Sequence, residues 1–165
     1  MIADVAGPAI MRVHADLEAL FSRISELAPN VPRPRVTLDL PGSEPEPLHV
    51  ATWGTAREFG VSGFLTGGVL GVTFHVWVTV AATAPTSDEA ARIANAYQAV
   101  AMQLPLVDID LGGAANEIGV PQVKEAESWG DSDGRRHAGY LLDYEVSVNV
   151  AASPEAARII EEMSI

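Results

Sequence analysis

The stretch Leu70–Val80, LGVTFHVWVTV, constrains this chain more than any other. Leu70, Val72, Phe74, Val76, Val78 and Val80 fall on one side at period two, and Gly71, Thr73, His75, Trp77 and Thr79 on the other, so the spacing predicts a long central strand. One ribbon buries too little apolar surface to offset the entropy of ordering it, and such a strand needs paired neighbours and a covering helix. The remaining sequence supplies both.

Ile10, Val13, Leu17, Leu20, Phe21, Ile24 and Leu27 recur at three- and four-residue spacing between Pro8 and Pro29, which predicts an amphipathic helix. Val36, Leu38 and Leu40 alternate with Arg35, Thr37 and Asp39 as a half-buried strand. The segment PGSEPEP, Pro41 to Pro47, has no periodicity and reads as an exposed loop. Leu48 to Trp53 and Glu58 to Phe64 are candidate short strands, and Thr66, Gly67 and Gly68 form a turn into the central strand.

Thr86 and Glu89 have capping-box spacing ahead of a helix whose buried stripe is Ala90, Ile93, Ala94, Tyr97, Val100, Ala101 and Leu104, ended by Pro105. Leu106 to Gly119 has no core face of its own and is expected to be ordered by contacts outside the chain. Val120 to Trp129 and Arg136 to Val150 flank Asp131, Ser132, Asp133 and Gly134 as a second hairpin, with Tyr140, Leu142, Tyr144, Val146, Val148 and Val150 on one side. Ser153 and Pro154 then start a last short helix through Ile159, Ile160 and Met163. The expected architecture is one α+β domain over residues 1–165, a mixed, mostly antiparallel sheet of about four to five strands packed by two or three helices, with extended loops near 41–68 and 106–119.

The formal charge of −12 is concentrated in residues 83–165, which hold 14 acids against 5 bases. That balance argues against a nucleic-acid reader, which needs clustered Lys and Arg. Cysteine is absent, so disulfides, thiolate metal sites and a thiol nucleophile are excluded. No apolar run is long enough to span a bilayer, nothing at the N-terminus reads as a secretion signal, and a cytoplasmic origin is expected.

Motifs for chemistry are sparse. Asp131, Ser132, Asp133 and Gly134 echo the start of a calcium loop, but the position of the bidentate glutamate holds Leu142, so a hairpin turn is the simpler reading. His14, His49, His75 and His137 show no metal-ligand spacing, and His75 reads as a packed or interfacial histidine. Gly60, Val61, Ser62 and Gly63 give GVSG and no nucleophile elbow. Glu125 with Glu127, and Asp143 with Glu145, could each share a strand face, as solvated acids also do. No catalytic, cofactor-binding or metal residue is therefore assigned, no cofactor is expected, and the chain is not read as an enzyme. Trp53, Trp77 and Trp129 lie outside the main apolar stripes, where interface and core roles are both open.

The order of elements, carried by VTFHVWVTVAATAPTSDEAARIANAYQAVAMQLP (Val72 to Pro105) and WGDSDGRRHAGYLLDYEVSVNV (Trp129 to Val150), resembles the tail terminator or tail completion proteins of long-tailed bacteriophages. The resemblance implies a structural virion protein located in the tail or neck and made in the host cytoplasm. It implies a homo-oligomeric ring, a hexamer, that caps the tail tube, contacts the tail tube protein and the head-tail connector protein, and lets DNA pass through its lumen without specific binding. No membrane partner and no site residues are implied. A small-ligand-binding or enzymatic α+β domain, with a pocket between sheet and helices, is the alternative.

Overall fold

A computed structural model describes residues 6–38, 50–53, 57–65, 68–130 and 133–164. Its helices are α1 (Gly7–Ser22), α2 (Ile24–Leu27), α3 (Ser87–Ala101), α4 (Leu104–Val107) and α5 (Pro154–Met163). Its strands are β1 (Arg35–Leu38), β2 (Val50–Trp53), β3 (Arg57–Leu65), β4 (Val69–Ala84), β5 (Glu117–Ile118), β6 (Gln122–Gly130) and β7 (Arg136–Ala151). The α+β class and the mixed, mostly antiparallel sheet are those the periodicities imply.

The predicted central strand is β4, and β7 pairs with it antiparallel along its whole length, from Val69 opposite Ala151 to Ala84 opposite Arg136. The other edge of β4 is divided between β2, on Val78 to Ala81, and β3, on Val69 to His75. The outer edge of β7 is divided likewise between β6 and β5. Among the described strands, only β1 and β2 run parallel. The continuous path is β1-β2-β4-β7-β5, with β3 and β6 off it.

Alternation gives the ladder two unlike faces. Phe74, Val76, Val78 and Val80 of β4, with Leu142, Tyr144 and Val146 of β7, are fully buried beneath helices. α3 lies on β4 and β7, and α1 lies beside α3, where Phe21 meets the Tyr97 ring edge-on at 5.8 Å. Thr86 caps α3, its Oγ1 accepting the Glu89 N–H at 3.3 Å. α3 ends at Ala101 and not at Pro105, because a proline four residues on offers no N–H to the Ala101 carbonyl and its ring crowds that oxygen. The carbonyl instead accepts the Tyr144 hydroxyl at 2.6 Å, which ties the helix end to the sheet. Similarly, the first helix stops earlier than its apolar spacing suggests: Arg23 leaves helical geometry, and α2 continues as one separate turn.

The largest departure from expectation lies between Leu106 and Gly119. Leu111 and Ile118 are fully buried in the common core, so the segment does have a core face. A 3-10 turn at Leu111–Gly113 and β5 follow α4, and Asn116 and Gly119 donate their backbone N–H groups to Ser147 and Glu145 of β7. Contacts within the chain order it. Residues 41–49 of the expected first loop lie outside the described residues, while 50–53 and 57–65 of it are strands.

Candidate functional site

The face of the ladder turned away from α1 and α3 carries the polar side of the alternation. His75 stands opposite Glu145, and Trp77 opposite Asp143, in the β4/β7 register. His75 Nδ1 lies 2.7 Å from Asp143 Oδ1. Asp143 is only 4% exposed, and its second oxygen lies 3.5 Å from Lys124 Nζ. A buried carboxylate without partners would be strongly destabilising, and this one is held between an imidazole and an ammonium. Arg57 of β3 covers Trp77, its guanidinium carbon 4.3 Å from the ring centroid. Glu58 Oε2 and Glu145 Oε2 approach His75 Nε2 at 3.8 and 3.7 Å.

Sequence parity assigns Arg57 and Glu58 to opposite faces. The register shift between Arg57 and Gly60, together with a left-handed Glu58 backbone at φ 54°, brings both toward His75 and Trp77. Asp143 with Glu145 was a candidate pair on the sequence, and the structure joins both to His75. Glu58 had no sequence signal, because a bulge is a matter of pairing.

The other candidates lie elsewhere. His14 sits on α1, 3.3 Å from Glu18. His137 accepts or donates at 2.9 Å with Thr83 Oγ1 and stacks against Trp129 at 5.1 Å. His137 pairs with Thr83, eight positions along β4 from His75, or about 27 Å of strand, so the described histidines do not converge. His49, Asp131 and Ser132 lie outside the described residues, as does the side chain of Trp53. Asp133 is exposed, and Gly134 has the positive φ of a turn. The GVSG run falls within β3, an extended strand and not a strand-to-helix turn. Glu125 and Glu127 are exposed on β6 and, with Trp129 and Thr79, line a shallow cavity of about 240 Å³.

A second polar cluster clasps α1 to the segment after α4. Arg12 Nε donates to Asp108 Oδ2 at 2.8 Å and lies 3.2 Å from Asp16 Oδ1, while Asp108 Oδ1 accepts the Gly112 N–H at 2.8 Å. Gly112 has φ 66°, where a side chain would be strained, and a Cβ there would stand 3.0 Å from the Arg12 guanidinium, so glycine is favoured on both counts. The clasp borders an open groove of about 530 Å³ lined also by Leu20, Arg23, Leu27 and Val107.

Burial first, and then the hydrogen bond and charge of Asp108, push the Asp16 carboxyl up to about 7, with Arg12 opposing. Asp108 is held below its usual range, first by the hydrogen bond from Asp16 and then by Arg12 and Gly112. The folded state therefore keeps a proton on Asp16 that the unfolded chain releases from 3.8 upward. Stability from this group is full below 3.8 and is lost as pH rises toward about 7. Asp108 acts oppositely, contributing above 3.8 and losing its contribution as pH falls through its lower folded value. Asp16→Asn keeps a neutral donor toward Asp108, so thermal melts across this window should show a flatter decline than the parent and a higher midpoint above it. An unchanged slope would remove Asp16 as its source.

No family model matches the sequence, and no curated protein matches it. Among solved structures similar to it is a chain of the virion of a native gene transfer agent (GTA) particle, with a TM-score of 0.40 and 13% identity, covering 81% of this chain and 93% of that chain.

Proposed function

We propose that this chain is a structural virion protein of the tail terminator kind, whose copies form a ring that caps the tail tube and joins the tail to the head-side connector. The observation that carries this reading is apolar surface the subunit leaves uncovered. α5 buries none of its residues, and Ile159, Ile160 and Met163 are 50%, 62% and 75% exposed along one stripe. A helix of ten residues is marginal in water on its own, and a stripe of this kind is a surface for another protein. Leu106, Val107 and Ile109 make a second exposed group after α3.

Two unlike apolar surfaces on one subunit suit a head-to-tail contact, which closes into a ring when the rotation permits. The element order supports the virion setting, and a chain of net charge −12 suits a lumen through which DNA passes without specific binding. Glu125, Glu127 and Asp133, exposed on β6 and its turn, are the acids assigned to that lumen, with Asp131 beside them in sequence. The ring is taken as a hexamer, with the tail tube protein on one side and the connector protein on the other. No helix among the described residues is long and apolar enough to cross a membrane.

The reading of a ligand pocket between sheet and helices has less support, because that interface is filled by fully buried Phe74, Val76, Tyr97, Leu142 and Tyr144. Native mass spectrometry and negative-stain microscopy of the purified chain should show a closed ring. Ile160→Asp, at an exposed position, should lower ring yield at least tenfold, a loss of about 1.4 kcal/mol or more in subunit association, while leaving the subunit's melting transition in place. A monomer at all concentrations, or full ring yield in Ile160→Asp, would overturn the proposal.

A further inference from the structure

α5 and the groove beside α4 are two surfaces that each copy of this chain leaves incomplete. Ala156, Ile159, Ile160 and Met163 stand at i, i+3, i+4 and i+7, which places them along one side of α5. Ser153 caps the helix, its Oγ accepting the Ala156 N–H at 3.3 Å, yet none of the helix residues is buried. A capped helix with an apolar stripe and no cover in its own subunit suits a groove on another protein. The open groove of about 530 Å³ has the matching character: Ala19, Leu20, Leu27 and Val107 supply apolar lining, with Arg12 and Arg23 beside them. Leu27 and Val107 are exposed in the single subunit.

Charge decides between the occupants. Glu155, Glu161 and Glu162 against Arg158 give α5 a net charge of −2, three acids to one base, so two α5 helices laid together would bring like charges into contact. In the groove the acids are already matched: Glu26 lies 2.6 Å from Arg23, and Asp108 and Asp16 lie 2.8 and 3.2 Å from Arg12. The Arg23 side chain is 71% exposed, and a guanidinium has more N–H donors than one carboxylate takes up, so it can also meet a glutamate of an incoming helix. An apolar groove edged by two arginines therefore suits α5 better than another α5 does.

We propose that α5 of one copy lies in the α1/α4 groove of the next, with Ile159, Ile160 and Met163 against Leu20, Leu27 and Val107. This contact rests on the ring proposed above and supplies its closure. Helix and groove are different surfaces, so each copy gives one and receives one until the last groove is filled.

The chain has no cysteine, so a pair introduced across the contact reports on it alone. Met163→Cys is mixed with Leu27→Cys or with Val107→Cys, all at exposed positions, and oxidised with copper phenanthroline; a disulfide needs Cα atoms within about 7 Å. At least one mixture should give a covalent dimer on a denaturing gel without reductant, while Met163→Cys alone should stay monomeric there. Ile160→Asp and Val107→Asp should each lower ring yield at least tenfold with the melting transition kept. Mixed one to one, they should form a heterodimer that does not grow, because one intact helix and one intact groove remain between them. Rings in native mass spectrometry without either cross-link, or at full yield in Val107→Asp, would overturn this contact and leave the ring standing. A covalent dimer of Met163→Cys with itself would overturn it in favour of α5 against α5. A parent that stays monomeric at all concentrations would remove the ring and the contact together.

Discussion

Val76→Asp is expected to leave the chain without a cooperative fold. Val76 is fully buried at the middle of β4, opposite Tyr144, on the face covered by helices. A carboxylate there has no cation within the surrounding apolar cluster of Phe74, Val78, Leu142 and Val146. An isolated buried charge costs several kcal/mol even after local relaxation, against a total stability of about 5–15 kcal/mol for a domain of ordinary size. Urea denaturation followed by circular dichroism should show no native baseline. Val146→Asp, on the same face of β7, should behave alike. A variant that melts at the parental temperature would show that the faces have been assigned the wrong way round.

Deletion of residues 110–116 is expected to be nearly as damaging, which reverses what the sequence suggests. The deletion removes the buried Leu111, the Gly112 N–H that Asp108 accepts, and Asn116, whose backbone and side chain both reach β7. Leu111→Ala alone should cost about 2–5 kcal/mol through lost burial and the cavity left behind. Differential scanning calorimetry of both variants should show a lowered midpoint for the substitution and no native transition for the deletion. A deletion variant with parental circular dichroism and melting would return the segment to the role of an outward assembly loop.

Much of the fold is legible wherever one local period repeats. The alternation in β4 and β7, the stripe of α3 and the Thr86 cap all follow from side-chain spacing, and burial follows it from Phe74 to Val80 of β4 and along Leu142, Tyr144, Val146 and Val148 of β7, with Asp143 buried against the parity. Leu106 to Gly119 was opaque for a physical reason. Its buried residues, Leu111 and Ile118, are seven apart with three glycines around them, and its backbone groups are satisfied by β7 rather than by neighbours in sequence. The His75 cluster was half legible. Asp143 and Glu145 share a strand face by parity, but their meeting with His75 needs the register of β4 on β7, and Glu58 needs a bulge.

The long β4/β7 ladder also governs the order in which the protein can come together. His75 and Asp143 are 68 positions apart, and α3, α4, β5 and β6 all lie between the two strands in sequence. Closure of a loop that long precedes any reward from pairing, so folding is expected to be slow for a chain of this size. On the ribosome, β4 emerges with one edge open and its apolar side covered by at most α1, then α3, until the last part of the chain is made. Chaperone dependence during synthesis, and aggregation of nascent chains truncated before Arg136, follow from that single topological choice.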